Sequence, residues 1–120
     1  MVAIGFKKQF AGEVEARRKK QSIRAKNRFR VGQRLQLYTG MRTNQCRKLS
    51  ADDPVITIVE SVVIDEDFIS VGGRRFDHVE RQLMAVADGF PDWAAFEAFF
   101  KNSEQGLPFH GYLVRWDWQP

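Results

Sequence analysis

Apolar and polar residues alternate along several short stretches of the chain, which is the pattern of half-buried β-strands. The clearest is Arg34–Thr39, where Leu35 and Leu37 fall on one face. The run Val55–Ile64 is dominated by β-branched residues and predicts one long strand, or a strand with a bulge. Further strands are predicted at Ala3–Phe6, Phe68–Val71 and Pro108–Trp118, and the short stretch Gln21–Arg24 is compatible with an extended conformation.

Three other stretches repeat apolar residues every three or four positions, as helices do. The first, Lys8–Arg18, carries Phe10 and Val14. The second runs from an N-cap at Asp77 to Ala87. Its apolar residues, expected to face the core, are Val79, Leu83 and Val86. The third begins at Asp92, and its predicted core stripe consists of Trp93, Phe96, Phe99 and Phe100.

These elements predict an α+β protein with a single domain over residues 1–120. Their order and spacing suit a small β-barrel of about five or six strands flanked by two or three short helices. A hydrophobic fraction of 43% is globular rather than disordered. A chain of 120 residues can bury roughly two-thirds of its unfolded surface, so a core is expected without covalent staples.

The remaining composition narrows the class of protein further. The one cysteine, Cys46, allows no internal disulfide, and no Cys or His set has the spacing of a metal site. The chain shows neither a signal peptide nor the ~20 apolar residues that a membrane span requires. We therefore expect a cytoplasmic protein that is a monomer by default, has no membrane partner and needs no metal or cofactor.

Positive charge is concentrated in one part of the chain. The basic segment, Arg17–Arg34, contains no Asp or Glu and holds nine of the nineteen Lys and Arg residues. Such a run is either a solvated surface or the binding edge for an anion. Guanidinium groups suit phosphate, and Phe29 and Tyr38 could stack on a base, which favours single-stranded RNA or a nucleotide as partner. The predicted nucleic-acid contacts are Arg17, Arg18, Lys20, Arg24, Lys26, Arg28, Arg30 and Arg42.

Lys19 and Ser22, within the basic segment, suggest chemistry as well as binding. A neutral lysine can serve as base for a nearby hydroxyl, and the like charges of Arg17, Arg18 and Lys20 would lower the pKa of Lys19. Side chains three residues apart on a strand point to opposite faces, whereas residues two apart share one. Lys19 and Ser22 can therefore meet only if the chain turns between them.

Four segments together resemble a known family. They are Phe10–Arg24, which ends in KKQSIR, then Val31–Thr43, Asp88–Phe100, which begins DGFPDW, and the closing strand Gly111–Trp116. In this order they resemble the ASCH domain of the PUA-like superfamily, in a compact bacterial or phage-type form. The resemblance implies a small β-barrel with a cleft between barrel and helices, in which RNA or a modified nucleoside binds.

The resemblance also assigns roles to individual residues. The family pattern has a Lys, a Thr or Ser three residues later, and an Arg two beyond that, which match Lys19, Ser22 and Arg24. Some small members are amidohydrolases that deacetylate the exocyclic amine of acetylcytidine with a Lys, a Thr and a Glu. The Glu position falls at Asp88, which is one methylene shorter, and a displacement near 1 Å can cost about a hundredfold in rate.

Two functions of different class follow. The favoured one is an RNA- or nucleotide-binding domain whose basic cleft performs no chemistry. The alternative is an amidohydrolase for an N-acylated cytidine-type nucleoside, with Lys19 as base, Asp88 as proton carrier and Arg24 stabilising the oxyanion. Ser22 would be the nucleophile or would orient a water. A ribonuclease is the second alternative, although the sequence offers no His pair suited to acid–base cleavage.

Overall fold

The computed structural model describes residues 1–119, in which three helices and eight strands form two sheets. The strands are β1 (Val2–Phe6), β2 (Gln21–Arg24), β3 (Leu35–Thr39), β4 (Arg47–Lys48), β5 (Val55–Asp65), β6 (Phe68–Val71), β7 (Arg74–Arg75) and β8 (Phe109–Asp117). The helices are α1 (Lys8–Glu15), α2 (His78–Ala87) and α3 (Trp93–Lys101). The α+β class is confirmed. The strands outnumber the expected five or six because β4 and β7, of two residues each, were too short to leave a pattern.

The strands divide into a three-stranded and a five-stranded sheet. The first has the order β1-β3-β4, with β1 and β3 parallel, and the second has the order β2-β8-β5-β6-β7, all antiparallel. The long strand β5 carries the expected bulge, since its register against β8 shifts between Ile56 and Ile58. An isolated bridge between Arg34 and Val55 joins the two sheets at one corner. Over residues 1–119 the strands do not close into a continuous barrel.

The core is one cluster of buried apolar side chains to which both sheets and all three helices contribute. The predicted stripe of α3 is part of it. Phe96 and Phe100 are buried, while Trp93 and Phe99 are partly buried and pack against the cluster. The expected N-cap of this helix is also present, because the Asp92 carboxylate accepts a hydrogen bond from the Ala95 N–H.

Helix α2 packs through a different face from the one expected. Val79, Leu83 and Val86 are 55%, 64% and 53% exposed, and the residues that face the core are Met84 and Ala85. The prediction of an inward Val79 stripe is therefore wrong. The helix carries two apolar stripes, and the one that contains Met84 packs against β2, which places the C-terminal end of α2 beside the basic segment.

No helix within residues 1–119 has both the length and the apolar character needed to cross a membrane. The longest, α2, has ten residues.

Candidate functional site

The chain turns sharply between α1 and β2, and this turn decides where the first side chains of the basic segment point. Helix α1 ends at Glu15 rather than Arg18, because Arg17 adopts a left-handed conformation with φ of 61°. The backbone N–H groups of Arg18 and Lys19 both donate to the carbonyl of Glu13, each at 3.0 Å. As a result Arg17 and Arg18 lie exposed, whereas Lys19 is only 4% exposed.

Lys19 forms a buried ion pair with Asp88, which follows the last residue of α2. The Lys19 Nζ lies 3.2 Å from Asp88 Oδ1 and also donates to the backbone carbonyl of Asp88 at 2.5 Å. The next residue, Gly89, has φ of 96°, and a Cβ there would lie 3.1 Å from Phe10 Cδ1 and 3.3 Å from Lys19 Cδ. Glycine at this position ends the helix and leaves room for the Lys19 side chain. The carboxylate that opposes the dipole of α2 therefore has a cation as its partner.

Ser22 and Arg24 lie on the same face of β2, as their spacing predicts. Arg24 Nε donates to the hydroxyl oxygen of Ser22 at 2.8 Å, and Arg24 Nη2 donates to the carbonyl of Gly5 at 2.7 Å. Gly5 belongs to β1, at the edge of the other sheet. Arg24 thus orients the Ser22 hydroxyl and connects the two sheets at a second place.

A cavity of about 140 Å³ brings the four predicted catalytic residues together. Its polar side chains belong to these four residues, Lys19, Ser22, Arg24 and Asp88, and to Lys7. Much of the remaining wall is aromatic and consists of Phe6, Phe10, Phe99 and Phe100. The Lys19 ammonium lies 5.0 Å from the ring centroid of Phe10, and the Arg24 guanidinium lies 5.3 Å from that of Phe6. A few convergent polar groups in a largely apolar wall are typical of a small-ligand site.

Burial shifts the pKa values of the two partners toward their neutral forms. Desolvation lowers the pKa of Lys19 in spite of the opposing charge of Asp88, and it raises the pKa of Asp88 in spite of Lys19. Burial also lowers the pKa of Arg24 to about 10, so that guanidinium stays charged at neutral pH. The neutral forms of Lys19 and Asp88 are therefore more favoured in this cavity than they are in water.

The cause of the lowered Lys19 pKa differs from the expected one. The charges of Arg17, Arg18 and Lys20 do not account for it, because these side chains point to solvent. Desolvation comes first, and the only cation that adds to it is Arg24. The direction expected from the sequence holds, and its physical origin is the interior of the protein rather than the flanking charges.

Lys19 and Ser22 line the same cavity without a direct hydrogen bond between them among residues 1–119. The Lys19 ammonium is directed at Asp88, and the Ser22 hydroxyl is held by Arg24. A proton that passes from Ser22 to Lys19 would therefore travel through a water or a substrate atom in the cavity.

The first part of the basic segment pairs its charges with carboxylates on the surface. Arg18 Nε lies 2.8 Å from Glu13 Oε2, and Lys20 Nζ lies 3.3 Å from Asp117 Oδ1. Arg17 lies 3.9 Å from Asp52, and its guanidinium is 4.2 Å from a ring of Trp118. These three cations are partly neutralised, which weakens their expected role as contacts for a polyanion.

The later part of the basic segment is exposed and free of such partners. Lys26, Arg28 and Arg30 form no salt bridge with the carboxylates of residues 1–119. Their loop is anchored by Phe29, which is 3% exposed, and by a hydrogen bond of 2.9 Å from Arg28 to the carbonyl of Ala3. Arg42 is exposed in another loop, after β3. The predicted nucleic-acid contacts therefore fall into separate groups, with Arg24 inside the cavity.

Gln21 is a part of the site that the sequence did not reveal. It is 2% exposed, and its Nε2 donates to Asp88 Oδ1 at 3.1 Å. Its Oε1 accepts a hydrogen bond from Arg115 Nε, also at 3.1 Å. The only sequence signal is its place beside Ser22 on a strand, which puts its side chain on the opposite face, and nothing in that pattern indicates a contact with Asp88.

A scan against protein-family models, a search of curated proteins and a search of solved structures each find no match for this chain. The resemblance to the ASCH domain stays a prediction that rests on the quoted segments.

Metal binding and acid–base catalysis by a pair of histidines have little support among residues 1–119. No group of three His, Cys, Asp or Glu side chains in residues 1–119 is arranged to hold a metal ion. The two histidines, His78 and His110, are exposed and lie on α2 and β8, so they do not join the cavity.

Proposed function

We propose that this protein is a PUA-like, ASCH-type amidohydrolase that removes an acyl group from the exocyclic amine of a cytidine-type nucleoside. The observation that carries the proposal is the convergence of Lys19, Ser22, Arg24 and Asp88 on one small, largely apolar cavity. They are the four residues to which the resemblance to the ASCH domain assigns catalytic roles. Buried titratable groups with shifted pKa values in a cavity are typical of active sites.

The PUA-like part of the proposal is supported by the way the two sheets join. The backbone bridge between Arg34 and Val55 connects β3 to β5, and the guanidinium of Arg24 connects β2 to Gly5 of β1. With the regular pairings β1-β3 and β2-β8-β5, these two links complete a ring of five strands. This arrangement supports the proposed relation to the PUA-like barrel, although within residues 1–119 the two sheets are not closed by regular strand pairing beside the cavity.

In the proposed reaction, water replaces the amine on the acyl carbon, and the residues of the cavity handle the protons. Neutral Lys19 removes a proton, and Ser22 supplies the hydroxyl that attacks the acyl carbon or holds the water that does so. The remaining N–H groups of Arg24 stabilise the oxyanion. Asp88 accepts the proton from Lys19 and delivers it to the departing exocyclic amine as the C–N bond breaks. If Ser22 is the nucleophile, a water then hydrolyses the Ser22 acyl ester and restores the hydroxyl, and by either route the products are a carboxylic acid and the free nucleoside.

The dimensions of the cavity favour a small substrate group. At about 140 Å³ it lies well below the roughly 300–1,000 Å³ of a site for a drug-sized ligand. A planar acylated base would pack against the Phe6 and Phe10 rings, while the sugar remained outside. A polynucleotide would not enter beyond a single base.

The deciding experiment is a deacylation assay of the purified protein with a panel of N-acylated cytidines. We expect turnover by the parent and a loss of at least about a hundredfold in Ser22→Ala, because the hydroxyl acts directly on the reacting atoms. Ser61→Ala is the matched control, since Ser61 is an exposed serine of β5 outside the cavity. Equal turnover in Ser22→Ala and Ser61→Ala would refute the assignment.

Binding of single-stranded RNA or a nucleotide is the second candidate, favoured by a different observation. Lys26, Arg28 and Arg30 are exposed, form no salt bridge within residues 1–119, and lie on a loop anchored by the buried Phe29. The charge of Arg28 also contributes to lowering the pKa of Arg24, so the loop lies near the cavity. We therefore expect affinity for single-stranded RNA that falls with rising salt, and affinity that is insensitive to salt would contradict this candidate.

A further inference from the structure

Gln21 joins the carboxylate of the candidate site to a strand that does not line the cavity. Its Nε2 donates to Asp88 Oδ1 and to the sulfur of Met84, each at 3.1 Å. Its Oε1 accepts from Arg115 Nε on β8 at 3.1 Å. With 2% of its surface exposed, Gln21 has little access to solvent partners that might replace these bonds.

Arg115 determines which end of the Gln21 amide faces Asp88. A guanidinium can only donate hydrogen bonds, so the amide group beside it must be the oxygen, and the NH₂ group is left facing the carboxylate. If Arg115 did not hold the oxygen, the amide could turn over and place Oε1 beside Asp88. An oxygen there would repel the ionised carboxylate and accept a hydrogen bond from its protonated form.

Gln21 lies behind Asp88 as seen from the cavity. The cavity is lined by Asp88 and Lys19 but not by Gln21, which borders a surface depression on the other side together with Arg115. A substrate in the cavity would therefore not touch Gln21. Any effect of Gln21 on the reaction must act through Asp88.

We propose that Gln21, held in one orientation by Arg115, is a positioning residue that fixes the Asp88 carboxylate beside Lys19 and favours its ionised form. The proposal rests on the proposed function in so far as Asp88 carries a proton in the reaction. The charged groups that face Asp88 are Lys19, from the turn after α1, and Arg24, from β2. Within residues 1–119 neither of them forms a hydrogen bond with Gln21, so a change of Gln21 removes no direct contact of either cation.

The test is a direct titration of the Asp88 carboxyl group by carbon NMR in the ligand-free protein. The pKa of Asp88 is already raised by burial, and Gln21 opposes that rise. We expect Gln21→Leu to raise it further by about one pH unit, which corresponds to the loss of one hydrogen bond to a charged group. Arg115→Met should shift it in the same direction. Arg75→Met, which alters an exposed arginine of β7, should leave it unchanged.

Gln21→Glu is the second variant, because it keeps the size of the side chain and can still accept from Arg115. A second carboxylate beside Asp88 should raise the pKa of Asp88 more than Gln21→Leu does. Circular dichroism and thermal unfolding establish that each variant is folded. An Asp88 pKa that stays at the parent value in both Gln21→Leu and Gln21→Glu would overturn the proposal.

The activity assay separates this proposal from the proposed function. If the parent deacylates the substrate, the steeper acid limb of its kcat/KM profile, where protonation of Asp88 adds to that of Lys19, should move to higher pH in Gln21→Leu, together with the Asp88 pKa, and KM should change little. A limb that does not move would count against a positioning role. A parent without turnover would remove the hydrolase, while the NMR titration would still decide whether Gln21 controls Asp88.

Discussion

Lys19 and Lys20 are neighbours in the chain, and each places its ammonium beside a carboxylate at almost the same distance. The Lys19 Nζ is 3.2 Å from Asp88 Oδ1, and the Lys20 Nζ is 3.3 Å from Asp117 Oδ1. The side chains of the first pair are 4% and 6% exposed, whereas those of the second are 46% and 60% exposed. The two pairs therefore differ in their access to water rather than in their geometry.

This difference changes the chemistry of the carboxylates in opposite directions. Burial raises the pKa of Asp88, but the pKa of Asp117 is lowered, first by a hydrogen bond from the backbone N–H of Trp118 and then by Lys20. A solvated pair keeps both charges and contributes little to stability. A buried pair loses hydration on both sides, which favours the neutral forms of both groups. Both pairs bring opposite charges together, and it is burial that distinguishes the pair in the candidate site from the pair on the surface.

The largest expected effect is the difference in activity and stability between a variant that lacks Lys19 and one that lacks Lys20. Lys19→Met should abolish deacylation and lower the free energy of unfolding by about 3–5 kcal/mol, because it leaves the Asp88 carboxylate buried without a cation. Lys20→Met should leave turnover and stability near the parent values. The measurements are a deacylation rate and a urea unfolding curve for each variant. Similar losses in both variants would show that the buried pair has no special role.

The pH dependence of turnover sharpens the comparison. Only neutral Lys19 can accept a proton, so kcat/KM should rise about tenfold per pH unit below its pKa. Burial lowers that pKa from 10.5, which brings the neutral form to lower pH than in water. Phe99→Ser, which would admit water to the cavity, should return the pKa toward 10.5 and move the rise to higher pH. Lys20→Met is the control, and a rise that moved equally in both variants would contradict this origin.

Much of the fold could be predicted from local patterns. The alternating stretches that predict β3 and β6 agree with the observed Leu35–Thr39 and Phe68–Val71, because a strand with one buried face leaves a period of two in the sequence. The orientation of α2 could not be predicted in this way. Its Val79, Leu83 and Val86 form an apolar stripe, and which stripe of a helix is buried depends on the partner against which it packs.

The candidate site was predicted in its residues but not in its geometry. Spacing on a strand would have placed Lys19 and Ser22 on opposite faces, but Lys19 lies before β2, in the segment that follows a turn with a left-handed conformation at Arg17, which a non-glycine residue rarely adopts. The contact between Gln21 and Asp88 joins positions 67 residues apart. Neither feature has a local pattern, because both are fixed by the packing of distant elements.

The basic segment also contains a contrast, between early cations that face carboxylates and later cations that, among residues 1–119, do not. This contrast predicts which part of the segment binds RNA. Replacing Lys26, Arg28 and Arg30 together by Gln should weaken binding of single-stranded RNA and reduce the slope of log affinity against log salt by about two, as expected for three phosphate contacts. Replacing Arg17, Arg18 and Lys20 together should have a much smaller effect, because these side chains already face Glu13, Asp52 and Asp117.

The measurement is a fluorescence titration of short single-stranded RNA at several salt concentrations, with both triple variants checked for folding. The two variants remove the same number of charges, so a general loss of net positive charge would weaken both alike. Equal slopes of log affinity against log salt in the two triple variants would place the RNA contacts across the whole basic segment rather than on its later loop.

The smallest net effect is expected when both members of the buried pair are replaced together. In Lys19→Met with Asp88→Leu, neither member of the pair is left buried without the other, and Arg24 keeps its hydrogen bonds to Ser22 and Gly5. The pair is costly to bury. Below pH 3.8 Asp88 is protonated in the folded and unfolded chains alike, and stability is lost as pH rises through its raised folded pKa. For Lys19, stability returns only as pH rises from its lowered folded pKa to 10.5.

In the pH range between the folded pKa values of Asp88 and Lys19, the double variant should unfold at a urea concentration equal to or above that of the parent, although Lys19→Met alone unfolds earlier. Loss of turnover with retained stability would show that the pair serves chemistry rather than folding, and a double variant as unstable as the single one would show the reverse.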